Sequence, residues 1–534
     1  MKNISRLILS MVFILAVVKY DYAREYQGKD MNNKSSGLKE TSAGCSPSSA
    51  FEWLDINNVR ARVNAGGDMW WDLDGISRYY VPKSGSATSM FSGALWIGGL
   101  DINNQLKLAA QRFRQGPELN GGVDFWTGPL TIDGTAAIDE TVCAQYDRLF
   151  KMNRAFVDEF LSHTDPVTGA FIPSDDYTIP TEILEWPAHA DISKKQSYYL
   201  APFYDVDGDG EYNPFAGDYP YYDIDNSLCH TKTPTMDESI EGSIHGSILA
   251  DQVIKGDQTL WWVFNDKGNI HTDSEGAAIG LEIRAQAFAF ATNDEVNNMT
   301  FYSYEIINRS TFELTETYFS PWVDPDLGYA QDDYVGCDVG RGLGYAYNGN
   351  AVDGSGEPEA YGEQPPAIGV DFFQGPYLDP DGQDNPKYRF ITDPATGDTI
   401  GREQLCDVSI NGVNFGNDII DDERYGMRRF VYYNNNNDPI NGEPRQAGHY
   451  YNYLRGIWKN GQKMRYGGDA VNTGVLQDVT ADFMFPFDSD PCNWGTNGVN
   501  PEGYNSNGVY WSEESENNPP ADRRFMQSAG PFTL

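Results

Sequence analysis

Residues 280–349 read GLEIRAQAFAFATNDEVNNMTFYSYEIINRSTFELTETYFSPWVDPDLGYAQDDYVGCDVGRGLGYAYNG, and their pattern decides the fold class. Leu281, Ile283, Ala285, Ala287, Ala289 and Ala291 fall on one parity and Glu282, Arg284, Gln286, Phe288 and Phe290 on the other, the period of two imposed by a pleated strand. A turn rich in Asn and Asp follows at 292–298. Met299–Asn308 then supplies Phe301, Tyr302, Tyr304, Ile306 and Ile307, side chains that suit a half-buried pleated surface. A second turn at 309–311 returns the chain through Glu313–Val323. These are three consecutive strands. They end at Asp324, Asp326, Asp332, Asp333 and Asp338, five carboxylates within fifteen residues. Such a group repels itself unless solvent or a cation neutralises it.

Outward from this stretch the composition points the same way. The 534 residues include 54 Gly and 29 Pro, and 13% are aromatic, which favours many short strands joined by turns. The expected fold is mainly β: antiparallel, β-sandwich-like domains with long loops and a small helical insertion. That insertion is read at 136–163, where Ile138, Val142, Tyr146, Leu149 and Phe150, then Phe156, Val157, Phe160 and Leu161, recur at helical spacing around a break near Asn153. His163 reads as its C-terminal cap. Phe91–Leu100 and Leu106–Arg114 read as a hairpin, Tyr450–Trp458 as a further helix, Ile240–Leu249 and Gln258–Asn265 as buried strands, and the region after Gly349 as long and irregular.

Lys2 and Arg6 precede an apolar run, Leu7–Val18, that is too short to span a bilayer and reads as a cleaved export signal over 1–23. Residues 24–50 read as a disordered linker, 51–200 as an N-terminal β-rich domain with the helical insertion, and 201–534 as a β-sandwich-like domain carrying acidic calcium-type loops. No later stretch is apolar enough for a membrane span. The net charge of −40 argues against nucleic acid as a partner, because such a surface repels phosphate. Six cysteines, Cys45, Cys143, Cys229, Cys337, Cys406 and Cys492, lack zinc-site spacing and allow fifteen disulfide connectivities. Ser42–Cys45 resembles a lipid-attachment box but lies far from the apolar run.

The strongest chemical signal is DVDGDGEYNP at 205–214. Asp205, Asp207 and Asp209 hold the first, third and fifth places of a calcium loop, Glu211 the seventh, Gly210 the sharp sixth and Tyr212 the apolar eighth. The twelfth place is Ala216, so the bidentate Glu is missing, with Asp218 as a candidate late carboxylate. Calcium is the expected cofactor, on Asp205, Asp207, Asp209 and Glu211, with Asp324, Asp326, Asp332 and Asp333 as a second candidate group; the bland alternative is a set of solvated turns. Asp379, Asp381 and Asp384, and Asp418, Asp421, Asp422 and Glu423, are weaker clusters. For the last, salt bridges to Arg424, Arg428 and Arg429 are at least as good a reading.

No nucleophile elbow, zinc helix or phosphate loop occurs, and the six histidines show no paired spacing, so each reads as structural. The sequence leans away from an enzyme. A glycosidase needs only two carboxylates roughly 5 to 10 Å apart beside an aromatic-lined groove, which 78 acidic residues leave open.

At GALWIGGLD (93–101), DDYVGCDVGRGLGYAYNG (332–349), DDERYGMRRFVYYNN (421–435) and RRFMQSAGPFTL (523–534) the chain resembles a family of large secreted proteins of the Bacteroidota. The resemblance covers nearly all of the chain after Phe51. It implies delivery to the cell surface or medium by the type IX secretion machinery, usually through a C-terminal sorting domain. The chain stops at Leu534 without that domain and reads as the front of a longer protein. The expected role is structural or adhesive, with extracellular glycans or surface proteins as partners; the alternative is a glycan-binding protein or glycoside hydrolase.

Overall fold

A computed structural model describes residues 42–113, 122–222, 254–472, 476, 478–501 and 509–534. The export signal at 1–23, most of the linker at 24–50, the strand read at 240–249, and Cys229, His230 and His245 lie outside the described residues.

The fold is mainly β, as the alternation of the opening stretch predicts. Leu281–Ala289 pairs antiparallel with Phe301–Asn308 on one side and Gln258–Asn265 on the other. Leu281, Ile283, Ala285, Ala287 and Ala289 all enter the main core. On the opposite parity Glu282 is buried and held by Arg284 at 3.0 Å and Arg309 at 3.1 Å, so that face is tied by charge rather than wetted.

Gln258–Asn265 is apolar on both parities for a different reason. Leu260, Trp262 and Phe264 pack into the main core, whereas Trp261 and Val263 pack into a second core. One strand is therefore the wall between two hydrophobic clusters, and a run buried on both faces loses its alternation. The helical insertion builds the second cluster. It contains the helices Glu140–Gln145 and Arg154–Ser162, the first capped by Asp139, which accepts from the amides of Thr141 and Val142. The break near Asn153 is a strand, Phe150–Asn153, pairing with Gln258–Trp261. His163 is the C-cap, as expected.

The larger sheet runs in the order Phe51–Leu54, Arg60–Asn64, Asp68–Met69, Ser92–Leu100, Thr315–Asp324, Arg523–Phe532, Arg429–Asn434. Leu106–Ala110 adds the expected hairpin beside Ser92–Leu100. Close approach fixes Gly93 here, because a Cβ would stand 2.5 Å from the Trp70 ring. The last strand, Arg523–Phe532, lies between two others and is buried at nine of its ten residues. Residues from both sheets share the main core, the arrangement of a β-sandwich.

The expected domain boundary at 200/201 is corrected by this pairing. Ser92–Leu100 bonds to Thr315–Asp324, and Trp126–Thr127 and Phe150–Asn153 bond to Gln258–Asn265. Composition marks the loop near 200, but strand partners far apart in sequence leave no local trace. The irregular region after Gly349 also contains the strands Ala367–Asp371, Tyr388–Thr392 and Thr399–Gln404.

Cys45 is bonded to Cys143 and Cys406 to Cys492, while Cys337 is a buried free thiol. Cys45 is thus engaged in a disulfide rather than presented by a lipid-attachment box. No helix among the described residues is long and apolar enough to cross a membrane.

Candidate metal centres

The 205–209 loop brings its three aspartates together. One carboxylate oxygen from each of Asp205, Asp207 and Asp209 lies within 4.8 Å of the others, with Asp205 buried and the other two exposed. The main chain makes this convergence. Asp205 accepts from the amides of Gly208 at 2.7 Å and Gly210 at 2.8 Å, so its carboxylate draws the loop around itself. Gly208 and Gly210 have φ of 75° and 81°, the left-handed region that a side chain would strain. Asp209 accepts from the Glu211 amide at 2.8 Å, and Tyr212 turns inward to donate from its hydroxyl to the Ile183 carbonyl at 2.6 Å.

Two members of the expected set stand elsewhere. Glu211 is outside the converging group, with its carboxylate against the Tyr198 hydroxyl. Asp218 also stands outside the converging group. It is fully buried and accepts from the Val206 amide and the Asn213 amide, both at 2.8 Å, clasping the two ends of the loop. Burial, opposed by those two amides, pushes its carboxyl up to about 6. Because that value exceeds the unfolded one, the folded state holds the proton longer, and stability falls as pH rises from about 4 to 6. In chelator, an NMR titration of Asp218 has its midpoint near 6, and Asp218→Asn removes this part of the stability slope; a midpoint near 4 contradicts the placement.

The second expected group is buried rather than spread into solvent. Asp324 is 0% exposed, Asp326 6%, Asp332 6% and Asp333 1%. Asp324 ends a central strand, and one oxygen each from Asp324, Asp326 and Asp522 lies within 4.8 Å of the others. Arg524, itself 0% exposed, sits among them. Its guanidinium pairs with Asp324 at 3.0 Å, with Glu443 at 3.2 Å, and with Asp522. Glu443 is also held by Arg112 at 2.5 Å, and Arg112 pairs with Asp273 at 2.8 Å. Burial pushes the Asp324 carboxyl well above the usual range and raises Asp326, against the opposing pull of Arg524.

Asp332 and Asp333 do not join that trio. Asp332 accepts from the Gly354 amide at 3.1 Å and Asn350 at 3.3 Å, and Asp333 from the Leu327 amide at 2.9 Å, fastening the loops around them. Asp522, Arg524 and Glu443 were not read from the sequence as site residues. The local signal for Asp522 and Arg524 is charge at the head of a buried strand, where Asp522 and two arginines precede FMQSA; Glu443 lies in a loop and carries none.

The weaker clusters are loop clasps. Asp421 accepts from the amides of Asp381 and Gly382, and Asp384 from those of Gly416 and Asp418. Of the neighbouring arginines, Arg429 pairs with Asp482 at 3.4 Å and Arg424 stacks on Tyr377 at 3.8 Å. Searches against family models, curated proteins and solved structures find no match to this chain.

Proposed function

We propose that this chain is an exported, calcium-stabilised, β-rich protein whose role at the cell surface or in the surrounding medium is structural or adhesive. The observation that carries the calcium part is the convergence of Asp205, Asp207 and Asp209 on one point of a tightly wound loop. An all-oxygen set on a loop of this spacing suits a hard divalent cation. Lacking the bidentate Glu, the site belongs with extracellular calcium modules, whose dissociation constants lie at about 10⁻⁴–10⁻³ M. Export is supported by the basic-then-apolar N-terminus and by two disulfides, which persist in oxidising compartments. Delivery by the type IX machinery is part of this reading through the family resemblance alone.

Glycan binding or hydrolysis is the weaker reading. The convergent carboxylates of Asp324 and Asp326 are buried beyond the reach of a sugar. The hollow beside Phe487, Tyr510, Asp488 and Asp490 holds about 40 Å³, space for roughly three waters rather than a pyranose ring. Asp490 is committed to the amides of Trp494 at 2.9 Å and Gly495 at 3.0 Å.

Calorimetric titration of the full chain with calcium tests the reading. One exposed site in the range of about 10⁻⁴–10⁻³ M is expected, weakened roughly tenfold or more by Asp207→Asn. A titration that is unchanged by Asp205→Asn and Asp207→Asn together overturns it.

A further inference from the structure

The buried acids near the end of the central strand are short of positive charge. Four carboxylates, from Asp273, Asp324, Glu443 and Asp522, share the guanidiniums of Arg112 and Arg524, and a fifth, Asp326, lies beside them. Asp326 makes no ion pair among the described residues. Its carboxyl lies beside that of Asp324, and the Arg524 guanidinium acts on both. The fork of Arg524 takes Asp324 Oδ2, Asp522 Oδ1 and Glu443 Oε1. Asp324 Oδ1 and Oδ2, Asp326 Oδ1, Asp522 Oδ1 and Glu443 Oε1 are all buried without a hydrogen-bond donor, the contacts of Arg524 being ion pairs without hydrogen-bond alignment. Asp522 Oδ2 is steadied by Asn435 at 2.8 Å and Gln331 at 3.4 Å.

An ionised carboxylate buried without a partner costs several kcal/mol, and Asp326 is in that position beside Asp324, which shares its arginine with Asp522 and Glu443. Loop solvation is no remedy, since all three aspartates are at most 6% exposed. The oxygens already converge, their positions are set by strand ends and an arginine fork, and all are hard donors.

We propose that Asp324, Asp326 and Asp522 form a second, buried centre that takes one divalent cation of the calcium, magnesium or manganese class. Carboxylate oxygens without nitrogen or sulfur select that class over zinc or copper. The ion enters as the chain folds, since its three ligands are at most 6% exposed, and it joins the end of Thr315–Asp324 to the start of Arg523–Phe532. Unlike the 205–209 loop, this centre holds its ion against chelator in the native state. The inference stands whether or not that loop binds calcium.

The test uses the full chain with the surface loop disabled by Asp205→Asn, Asp207→Asn and Asp209→Asn. After prolonged dialysis against chelator, elemental analysis is expected to find about one equivalent of divalent metal per chain, released only when the chain is unfolded. Refolding in chelator is expected to give a less stable chain that calcium, magnesium or manganese restores. In that background Asp326→Asn loses the retained equivalent, yet in chelator it is no less stable than its parent, because it removes one of the crowded charges. The proposal is overturned if the loop-disabled chain carries below about a tenth of an equivalent and refolds identically with and without divalent ions. That result would mean the Asp324–Asp326 pair is neutralised by a shared proton. Should Asp326→Asn fail to fold, metal retention and refolding of the loop-disabled chain decide the matter.

Discussion

Replacing Arg524 with methionine is expected to lower the unfolding free energy by about 3–5 kcal/mol, the range for removing one partner of a buried ion pair. The guanidinium is 0% exposed and serves Asp324, Asp522 and Glu443 at once. Methionine fills much of the volume but leaves three buried carboxylates facing one another. The loss should appear as a lower midpoint in denaturant, and Asp324→Asn added to Arg524→Met should return part of it. An unshifted midpoint would mean that these acids are neutralised without the arginine.

Trp322→Ala is expected to cost a comparable amount, about 3–5 kcal/mol, by opening a cavity in the same layer. Trp322 is 0% exposed, and its indole stacks on Trp96 with ring centroids 6.0 Å apart and planes 6° off parallel. It meets Phe113 edge-on at 5.2 Å and donates its indole N–H to the Tyr433 hydroxyl at 2.7 Å. Phe113 also lies 5.5 Å from the guanidinium of Arg524. Trp322 and Arg524 therefore share a neighbour. The double variant Trp322→Ala with Arg524→Met should lose less than the two single losses added together, as coupled sites do. Trp322→Phe, which keeps most of the apolar area, should recover most of the stability; equal losses for Phe and Ala would assign the effect to the Tyr433 hydrogen bond instead.

How far the sequence could be read depended on how local each cause was. The strands at 281–289 and 301–308 were legible because burial on one face writes a period of two directly into the chain. The 205–209 loop was legible because its converging groups come from five consecutive residues, so spacing alone brings them together. Its closure by Asp218 was not legible: a carboxylate placed after a calcium-type loop looks the same in sequence whether it meets an ion or two backbone amides. The buried trio was half legible. Asp324 and Asp326 stand close in sequence, but Asp522 and Arg524 arrive from the last strand, and only pairing of that strand with Thr315–Asp324 brings them in. The same long-range pairing explains why the domain boundary at 200/201 failed. Gln258–Asn265 was legible as a strand, yet its position between two cores was not, because an unbroken apolar run says that both faces are covered without saying by what.

In the proposed function a divalent cation gathered by the converging 205–209 aspartates rigidifies an acid-rich exterior. Calorimetric melting of the full chain, in calcium at about 100-fold its dissociation constant and again in excess chelator, tests it most directly. A stabilisation of about 2–3 kcal/mol in calcium is expected from this loop, and changing Asp205, Asp207 and Asp209 to asparagine removes that share of the calcium dependence. Superimposable melting curves in the two conditions would contradict the account.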